Sequence, residues 1–277
     1  MTQTVLITGC STGIGNATAK TFQQQGWNVI ATLRNPASGH GLEGLENVLV
    51  TTLDVTDPDS IASAIAAGLE RFGQIDALIN NAGFGSYGIF EGASDASVRS
   101  VYETNVFGVM NVTRAVLPHM RERRRGQIIN ISSAGGFFAL PTMSVYCSSK
   151  FAVEGFSEGL SHELAPLGIR VKLIEPGGVL TTNFDNRATV LAADDATPSE
   201  YAPFVDATNA MLEHMRTAAN ATEQQVAEVI HQAALDDSDR LRYLATDDIR
   251  ELVRLRQETS EDEYMAFMRQ HIVPQLR

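Results

Sequence analysis

The sequence predicts an α/β protein built on a doubly wound parallel β-sheet, and two observations lead to this fold class. Short apolar runs alternate with longer helical patterns through the first two thirds of the chain, and the runs themselves show little polar–apolar alternation. Strands without alternation are expected where both faces of a sheet are covered, as in parallel sheets flanked by crossover helices. Repeated strand–helix units with right-handed crossovers therefore predict two helical layers around one sheet.

The predicted elements follow one another from the N-terminus. The six strand candidates are rich in Val, Ile and Leu and cover residues 4–8, 28–33, 48–53, 77–80, 127–131 and 170–174. Helices are predicted between them at residues 14–25, 60–72, 95–120 and 145–167. Because no linker rich in Pro or Ser divides this region, we expect a single domain over residues 1–277.

The pattern loosens after Pro176. A short apolar run at 241–244 fits a last edge strand, and the segment Thr222-Glu-Gln-Gln225 resembles a capping box at the start of a helix. Helical character recurs near residues 199–219, 223–235, 247–258 and 261–272. This part is too short for a separate catalytic domain, so we expect residues 181–277 to form a helical cap and a C-terminal extension.

Composition excludes several classes of function. The 277 residues carry a formal net charge of −12, and so acidic a surface is a poor partner for nucleic acid or an anionic membrane. No run approaches the roughly 20 apolar residues of a membrane span, and residues 4–8 form a strand pattern where a signal peptide would lie. We therefore expect a cytoplasmic protein. Cys10 and Cys147 have neither disulfide-framework nor metal-ligand spacing, so no metal site is predicted.

A Gly-rich segment, Thr8-Gly9-Cys-Ser-Thr-Gly13-Ile-Gly15, joins the first predicted strand to the first predicted helix. Glycines let the backbone turn sharply and approach a pyrophosphate, which then rests on the helix N-terminus. An ordinary strand-to-helix turn is the alternative, since glycine is common there as well. The position after a buried strand and before an amphipathic helix favours nucleotide binding.

Tyr146-Cys-Ser-Ser-Lys150 places a phenol and an ammonium group one helical turn apart in the predicted helix 145–167. Hydride transfer to a carbonyl creates an alkoxide, so the site must deliver a proton as charge develops on oxygen. A tyrosine, with a reference pKa of about 10, needs a neighbouring positive charge for this task at neutral pH. The chain has only three lysines, so few chance pairs at this spacing are expected.

Further motifs accompany this pair. Asp54-Val55 ends the third predicted strand, Asn80-Asn-Ala-Gly83 follows the fourth, and Pro176-Gly177 precedes Thr181 by a few residues. With the T-G-x-x-x-G-x-G and Y-x-x-x-K patterns, residues 4–182 resemble the short-chain dehydrogenase/reductase family. The segments 8–15 and 31–34 look closest to hydroxysteroid- and retinol-dehydrogenase-like members.

The resemblance implies a Rossmann-like fold and an enzyme that interconverts a ketone or aldehyde and an alcohol. It implies a catalytic set of Asn105, Ser133, Tyr146 and Lys150. In that set Ser133 orients the substrate oxygen, and Asn105 holds a water that links the lysine to solvent. Asn105 has a second interpretation, as a helix-distorting residue bonded to the backbone, and Ser132 is the alternative to Ser133. The motifs place the nucleotide-binding part at residues 1–180, and the residues expected to contact the cofactor are Gly9, Ser11, Thr12, Gly13, Ile14, Gly15, Arg34, Asp54, Val55, Asn81, Ala82, Gly83, Tyr146, Lys150, Pro176, Gly177, Val179 and Thr181.

The end of the second predicted strand bears on the choice of cofactor. NAD-binding members of this fold class place an acid there, whereas this chain has Thr32-Leu33-Arg34-Asn35 and no acid before Glu43. Arg34 can pair with the 2′-phosphate of NADP, and Ser11 can add a hydroxyl donor. The alternative is that Arg34 is a solvated loop residue. We predict NADP(H) in preference to NAD(H).

The expected substrate is a hydrophobic carbonyl compound or its alcohol, because apolar side chains cluster near the predicted site. The candidates are Phe84, Phe137, Phe138, Leu140, Met143 and Phe184, although some of them are expected to pack into the core instead.

Small residues at 152, 155 and 159 leave a groove on the predicted helix 145–167. They pack either against the protein's own sheet or against a second subunit. Members of the family that the chain resembles pair their subunits through this helix, which implies a homodimer or homotetramer. An NAD(P)-sensing regulator without turnover, or an epimerase or dehydratase, is the competing function. An intact Tyr146–Lys150 pair argues against the regulator, and the glycine spacing argues against the other two.

Overall fold

The computed structural model describes residues 2–39, 41–179, 197–218 and 220–275. Within them, seven parallel strands form one sheet in the order β3-β2-β1-β4-β5-β6-β7. The strands are β1 (Thr4–Thr8), β2 (Asn28–Leu33), β3 (Val48–Thr52), β4 (Ala77–Asn80), β5 (Gly126–Ile131), β6 (Ile169–Glu175) and β7 (Arg242–Leu244). The prediction of a doubly wound parallel sheet is confirmed, including the edge strand near 241–244.

Nine α-helices are found in the described part of the chain. They are α1 (Gly13–Gln24), α2 (Pro58–Phe72), α3 (Asp95–Tyr102), α4 (Val109–Arg123), α5 (Ser144–Leu164), α6 (Ala202–Ala218), α7 (Glu223–Leu235), α8 (Arg250–Glu258) and α9 (Glu261–His271). Thr222 begins α7 with the capping box that its sequence predicts. No helix in the ranges that the structure describes has both the length and the apolar character of a membrane span.

Successive strand residues face opposite sides of the sheet, and both sides are buried. Val5 and Ile7 belong to the cluster formed with α1 and α7, whereas Leu6 between them belongs to the cluster formed with α2, α4 and α5. This double burial explains why the strands read as continuous apolar runs. Helix α7 packs against α1, so residues 223–244 complete the layered fold and do not form a separate appendage.

The predicted helix 95–120 is interrupted by a π-helical segment, Glu103–Gly108, between α3 and α4. A wider turn is tolerated here because buried Asn105 bonds outside its own helix. Gly108 faces Val55, and a Cβ at this glycine would lie 2.6 Å from the Val55 Cγ2 atom. Apolar periodicity alone did not indicate this change of helix type.

The C-terminal helices α8 and α9 pack on the loop that follows β5. Their buried members Val253, Tyr264 and Met268 form one apolar cluster with Ala134 and Phe138 of that loop. Helix α6 lies elsewhere, beside Tyr146, where Leu212 packs against the cluster of Met143, Tyr146 and Cys147. Helix α6 on the one hand, and helices α8 and α9 on the other, thus cover two separate parts of the region at the carboxyl ends of the strands.

Candidate active site

An open cleft of about 1540 Å³ lies at the carboxyl ends of the strands. It spans the position between β1 and β4, where the strand order reverses, which is the usual ligand site of open parallel sheets. Loops after all seven strands line it, together with helices α6 and α8. The cleft exceeds the usual size of a small-molecule site, so a dinucleotide and a second compound fit together.

The start of the Gly-rich loop is held against the segment after β4 by hydrogen bonds between side chains and the main chain. The Asn81 Nδ2 atom donates to the carbonyls of Thr8 (2.9 Å) and Gly9 (3.1 Å). In return the Thr8 hydroxyl accepts from the backbone N–H groups of Asn81 and Ala82, each at 3.0 Å. Gly9 has a φ of +74°, and a Cβ at Gly15 would overlap the Gly9 carbonyl oxygen. These glycines therefore allow close contacts within the loop and with Asn81. That they let the backbone approach a pyrophosphate stays a prediction.

The N-terminus of α1 opens into the cleft. Thr12, the residue before the helix, is exposed and makes no side-chain bond to the first turn, so the first N–H groups remain available to a ligand. A helix N-terminus with such donors favours an anion. Ser11, Thr12, Gly13, Ile14 and Gly15 all line the cleft, so these residues fit the pyrophosphate of a dinucleotide.

The far end of the cleft is formed by the ends of β2 and β3. Arg34 is exposed and lines the cleft, and it makes no ion pair with any residue in the described ranges. Asp54 is held by Thr56, whose backbone N–H and hydroxyl donate to Asp54 Oδ1 at 2.9 and 2.8 Å. Val55 is buried behind it. Within the part of the chain that the structure describes, this end presents the Arg34 cation and no acid from β2.

Tyr146 and Ser133 meet where α5 begins beside the end of β5. The Tyr146 side chain is 5% exposed, and burial raises the pKa of its phenol, while a hydrogen bond with Ser133 lowers this pKa. The Ser133 Oγ atom also accepts from the Gly135 N–H at 3.1 Å, which fixes the position of the hydroxyl. Both side chains line the cleft.

Lys150 lies one turn further along α5. Its Nζ atom is 5.8 Å from the centre of the Tyr146 ring and donates to the Ile131 carbonyl at 2.9 Å. Burial lowers the pKa of Lys150 to about 8, and the negative charge of Glu154 opposes this shift. The ammonium group is therefore buried beside the phenol, as the helical spacing predicts.

Asn105 bonds the backbone of Phe84 in both directions. Its Oδ1 accepts from the Phe84 N–H at 3.1 Å and its Nδ2 donates to the Phe84 carbonyl at 2.9 Å and to Ser149 Oγ at 3.1 Å. A Cβ at Gly83 would lie 3.1 Å from Asn105 Oδ1 and 3.8 Å from Lys150 Nζ, so this glycine separates the two groups. The backbone-bonding interpretation of Asn105 is observed directly, and a water-holding role remains a prediction.

The predicted substrate residues divide into three groups. Phe84, Phe138, Leu140 and Met143 line the cleft. Phe137 is not among the described residues that line the cleft; it packs against the α8–α9 cluster, and the Arg242 guanidinium lies 5.9 Å from its ring centre. The assignment of Phe137 to the substrate is therefore corrected. Phe184 and the cofactor candidate Thr181 lie outside the described residues.

The remaining predicted cofactor residues also line the cleft: Asp54, Val55, Asn81, Ala82, Gly83, Pro176, Gly177 and Val179. Four residues of α6 also line the cleft, within the segment expected to form the substrate cap: Val205, Asn209, Leu212 and Met215. Tyr87 was likewise expected near the substrate and lines the cleft, whereas Ile249 and Leu252 line it and were not predicted. The α6 residues recur at helical spacing, which was the available signal, but periodicity did not show what that face covers. Asp248 and Thr246 were missed as well; they accept from the N–H groups of Gly178 (2.8 Å) and Gly177 (2.9 Å).

Comparison with known proteins shows where these features recur. The model of a family described as short chain dehydrogenase matches residues 3–190. An uncharacterized oxidoreductase of Schizosaccharomyces pombe is 35% identical over 242 residues, covering 87% of this chain and 99% of the relative. A 3-ketodihydrosphingosine reductase of Bacteroides thetaiotaomicron is 44% identical over 67% of each chain, and human retinol dehydrogenase 8 is 39% identical over 65% of this chain and 60% of its own.

Solved structures extend the similarity to the whole fold. A short-chain dehydrogenase from Streptomyces avermitilis superposes with a TM-score of 0.83 at 31% identity, covering 97% of both chains. A short-chain dehydrogenase/reductase from Burkholderia phymatum, in complex with NAD, gives 0.81 at 25% identity over 100% of this chain and 98% of its own. A gluconate 5-dehydrogenase from Burkholderia cenocepacia, in complex with NADP and tartrate, gives 0.72 at 25% identity over 87% and 92%.

Proposed function

The chain belongs to the short-chain dehydrogenase/reductase family of NAD(P)-dependent oxidoreductases, and we propose that it interconverts a ketone or aldehyde and the corresponding alcohol with NADP(H). The observation that carries this proposal is the meeting of Tyr146, Ser133 and Lys150 in one cleft beside the Gly-rich loop. A regulator that only senses a nucleotide has no need of a buried phenol next to a buried ammonium group.

In the proposed reduction, the carbonyl oxygen lies between the hydroxyls of Ser133 and Tyr146. A bound nicotinamide supplies the hydride for reduction and accepts it in oxidation. Ser133 donates a hydrogen bond that orients the carbonyl, and Tyr146 transfers its proton to the oxygen as negative charge develops there. The Lys150 ammonium stabilises the resulting tyrosinate, which makes the proton transfer feasible near neutral pH. Alcohol oxidation reverses these proton movements.

The preference for NADP(H) rests on the charge at the end of β2. Arg34 is exposed in the cleft and has no ion-pair partner within the described residues, so it can bind a 2′-phosphate bidentately. Ser11, on the Gly-rich loop beside the end of β2, supplies a further donor. We assign the pyrophosphate to the N-terminus of α1 and the ribose hydroxyls beside the nicotinamide to Tyr146 and Lys150.

The proposed substrate is a hydrophobic carbonyl compound or a hydroxysteroid-like alcohol. Next to Tyr146 the cleft is walled by Tyr87, Leu140, Met143 and Leu212, and Ile249 and Leu252 continue the apolar surface from the C-terminal side. Such walls bind an extended apolar body and leave the reacting oxygen at Ser133 and Tyr146. Retinol and 3-ketodihydrosphingosine, named in two relatives, combine a long apolar part with one reacting oxygen.

A homo-oligomer is proposed from the outer face of α5. Gly155 and Gly159 are exposed, and a Cβ at either glycine would meet no atom within 4 Å. They do not, therefore, pack against their own sheet. Phe151, one turn before Gly155 on α5, is 42% exposed. Phe107, in the π-helical segment Glu103–Gly108 that contacts α5, is 46% exposed. A second copy of the chain covers this face in our proposal, and a monomeric mass in sedimentation velocity would contradict it.

The test of the function is turnover with matched cofactors. We expect purified protein to oxidise NADPH faster than NADH in the presence of some member of a panel of long-chain ketones, retinal and ketosteroids. Tyr146→Phe should lower kcat by about a hundredfold or more, because it removes the proton donor. Tyr102→Phe serves as the control, because it removes a tyrosine hydroxyl that donates to Ser148 Oγ on the exposed side of α5.

Failure is equally clear. If no ketone or alcohol supports turnover with either cofactor, or if Tyr146→Phe is as active as the wild type, the enzymatic proposal is wrong. A faster reaction with NADH would leave the chemistry standing but overturn the preference for NADP(H).

A further inference from the structure

Three charged side chains, two of them buried, form a cluster behind Lys150 and outside the residues that line the cleft. Glu154 follows Lys150 by one turn of α5, Glu175 is the last residue of β6, and Arg242 is the first residue of β7. Glu175 is 0% exposed and Glu154 is 6% exposed. We call Glu154, Glu175 and Arg242 the carboxyl cluster. None of the proton movements described above uses it.

Both carboxyl groups converge on the same nitrogen. The Arg242 Nε atom lies 3.0 Å from Glu154 Oε2 and 3.7 Å from Glu175 Oε1. The other side of this guanidinium is already engaged, because Arg242 Nη2 donates to Glu158 Oε2 on the protein surface at 2.7 Å. One partly exposed cation thus faces three carboxyl groups, two of which are buried.

Three buried oxygens of the cluster have no hydrogen-bond partner within the described residues: Glu154 Oε1, Glu175 Oε1 and Glu175 Oε2. Glu154 thus has a donor on one oxygen only, and Glu175 has none on either. Two buried carboxylates with so few donors are costly to desolvate, and they repel each other. A single proton on the pair removes one of the two charges. The protonated carboxyl is also neutral, which lowers the cost of burying it.

We propose that Glu154 and Glu175 hold one proton between them, and that the single negative charge left on the pair keeps Lys150 in its ammonium form. The second half of this proposal rests on the proposed function of the Tyr146–Lys150 pair. Glu154 and Glu175 then act as positioning residues, since they contact neither substrate nor cofactor and work through Lys150.

The local electrostatics support this assignment. Burial and the negative charge of Glu154 together raise the pKa of Glu175 to about 9, against the opposing charges of Arg242 and Arg240. Burial also raises the pKa of Glu154, while the nearby Ser132 hydroxyl, the Arg242 guanidinium and the charge of Lys150 lower it. Glu154 in turn opposes the effect of burial on Lys150. The charged groups facing the pair are therefore Lys150 and Glu158 from α5, Arg242 from β7, and Arg240 just before it.

Gly136 provides the space for this arrangement. A Cβ at Gly136 would lie 2.7 Å from the Ser132 Oγ atom and 2.9 Å from the Glu154 Cγ atom. A larger residue here would displace Glu154 from Ser132 and from Arg242. The loop that carries Ser133 into the cleft thus also fixes the buried carboxyl behind Lys150.

The proton itself can be observed without any turnover. A protonated carboxyl has an infrared C=O stretching band that a carboxylate lacks, and we expect this band in the wild type at pH 7. It should disappear on alkaline titration near pH 9 and be absent from Glu175→Gln at pH 7. Glu158→Gln, which breaks the exposed contact to the same arginine, should leave the band in place. A wild type with no such band at pH 7 would overturn the proposal, whether or not any variant folds.

Thermal stability gives a second readout. The pKa of Glu175 is raised in the fold from 4.5 to about 9, so its contribution to stability is full below pH 4.5 and is lost as the pH rises to about 9. Glu175→Gln has no such loss. The Tm of this variant relative to the wild type should therefore rise steadily between pH 5 and pH 9, whereas a constant difference would contradict a shared proton.

The link to Lys150 requires the pH profile of alcohol oxidation. Glu175→Gln leaves one charge on Glu154, so kcat/KM at pH 7 should stay within about twofold of the wild type. The double variant E154Q/E175Q removes that charge, so Lys150 loses its proton at lower pH and stabilises the tyrosinate less. We expect the acid limb of its profile to move up by about one pH unit, with about tenfold lower kcat/KM at pH 7.

The outcomes separate the two proposals. A wild type that shows the infrared band but no turnover would refute the proposed function and leave the shared proton standing. An active wild type whose double variant keeps an unchanged pH profile would refute the action on Lys150.

Discussion

The two ends of the cleft are built in different ways. At the end where we propose that the cofactor binds, which we call the cofactor end, backbone groups form the surface. The carbonyls of Thr8 and Gly9 are bound by Asn81, and the first N–H groups of α1 are left for a ligand. At the substrate end, side chains form the surface, with Leu212 from α6 and Leu252 from α8 among them. The cofactor end is thus specified by glycine and hydrogen-bonding residues at fixed positions, and the substrate end only by size and polarity.

This difference explains what each end can tolerate. A site formed by backbone groups cannot accommodate an added side-chain atom, because a Cβ at Gly15 would overlap the Gly9 carbonyl, which is already hydrogen-bonded to Asn81. A side-chain-built site can exchange one apolar residue for another and still bind an apolar compound. The family model covers residues 3–190, which include the cofactor end and stop before α6.

The largest effect should come from Gly15→Ala. The added Cβ would overlap the Gly9 carbonyl oxygen, so the Gly-rich loop must shift, and the N-terminus of α1 shifts with it. A displacement of about 1 Å at a binding site typically costs on the order of a hundredfold, and we expect the NADPH Kd to rise by that factor. Isothermal titration with NADPH measures it.

Gly155→Ala is the matched control for that variant, because its Cβ would meet no atom within 4 Å. Its NADPH affinity should not change. An unchanged Kd in Gly15→Ala would show that the cofactor end has more slack than its contacts indicate.

A smaller effect is expected at Arg34, the charged side chain at the end of β2. Arg34→Asp replaces the cation at the end of β2 with an acid, which repels a 2′-phosphate and accepts ribose hydroxyls. A charge-assisted hydrogen bond contributes about 1.5–3 kcal/mol, so the NADPH/NADH ratio of kcat/KM should fall by about ten- to a hundredfold. Arg71→Asp makes the same charge change on the exposed end of α2 and should leave the ratio unaltered. An equal change in both variants would mean that only net charge matters.

The smallest effect is expected at the substrate end. Leu212→Ala removes part of the apolar wall beside Tyr146, and a lost apolar contact costs about 1–3 kcal/mol of substrate discrimination. KM for a long-chain ketone should rise by about tenfold, with the NADPH Kd within twofold of the wild type. Leu235→Ala, at a side chain that is 55% exposed and outside the cleft lining, is the control. If Leu212→Ala weakened NADPH binding as much as ketone binding, the two ends would not be separable.

Particular residues show how far sequence reasoning extends into the site. Tyr146 and Lys150 were placed together correctly because both lie on one helix, where a separation of four residues fixes their relative position. The glycines of the loop were likewise interpretable, because a strand, a turn and a helix follow directly in the chain. Phe137 was misplaced, because neighbouring residues of an irregular loop point in directions that no periodicity predicts.

The sequence by itself determined the order of strands and helices, the Gly-rich loop and the Tyr146–Lys150 spacing, because each depends on interactions between residues close in the chain. Only the tertiary structure decided which apolar residues face the cleft, where α6 and α8 lie, and how Glu154, Glu175 and Arg242 come together. Those three residues are separated by 21 and 67 positions in the chain. Their protonation depends on burial and on distances that arise only when β6, β7 and α5 pack against one another.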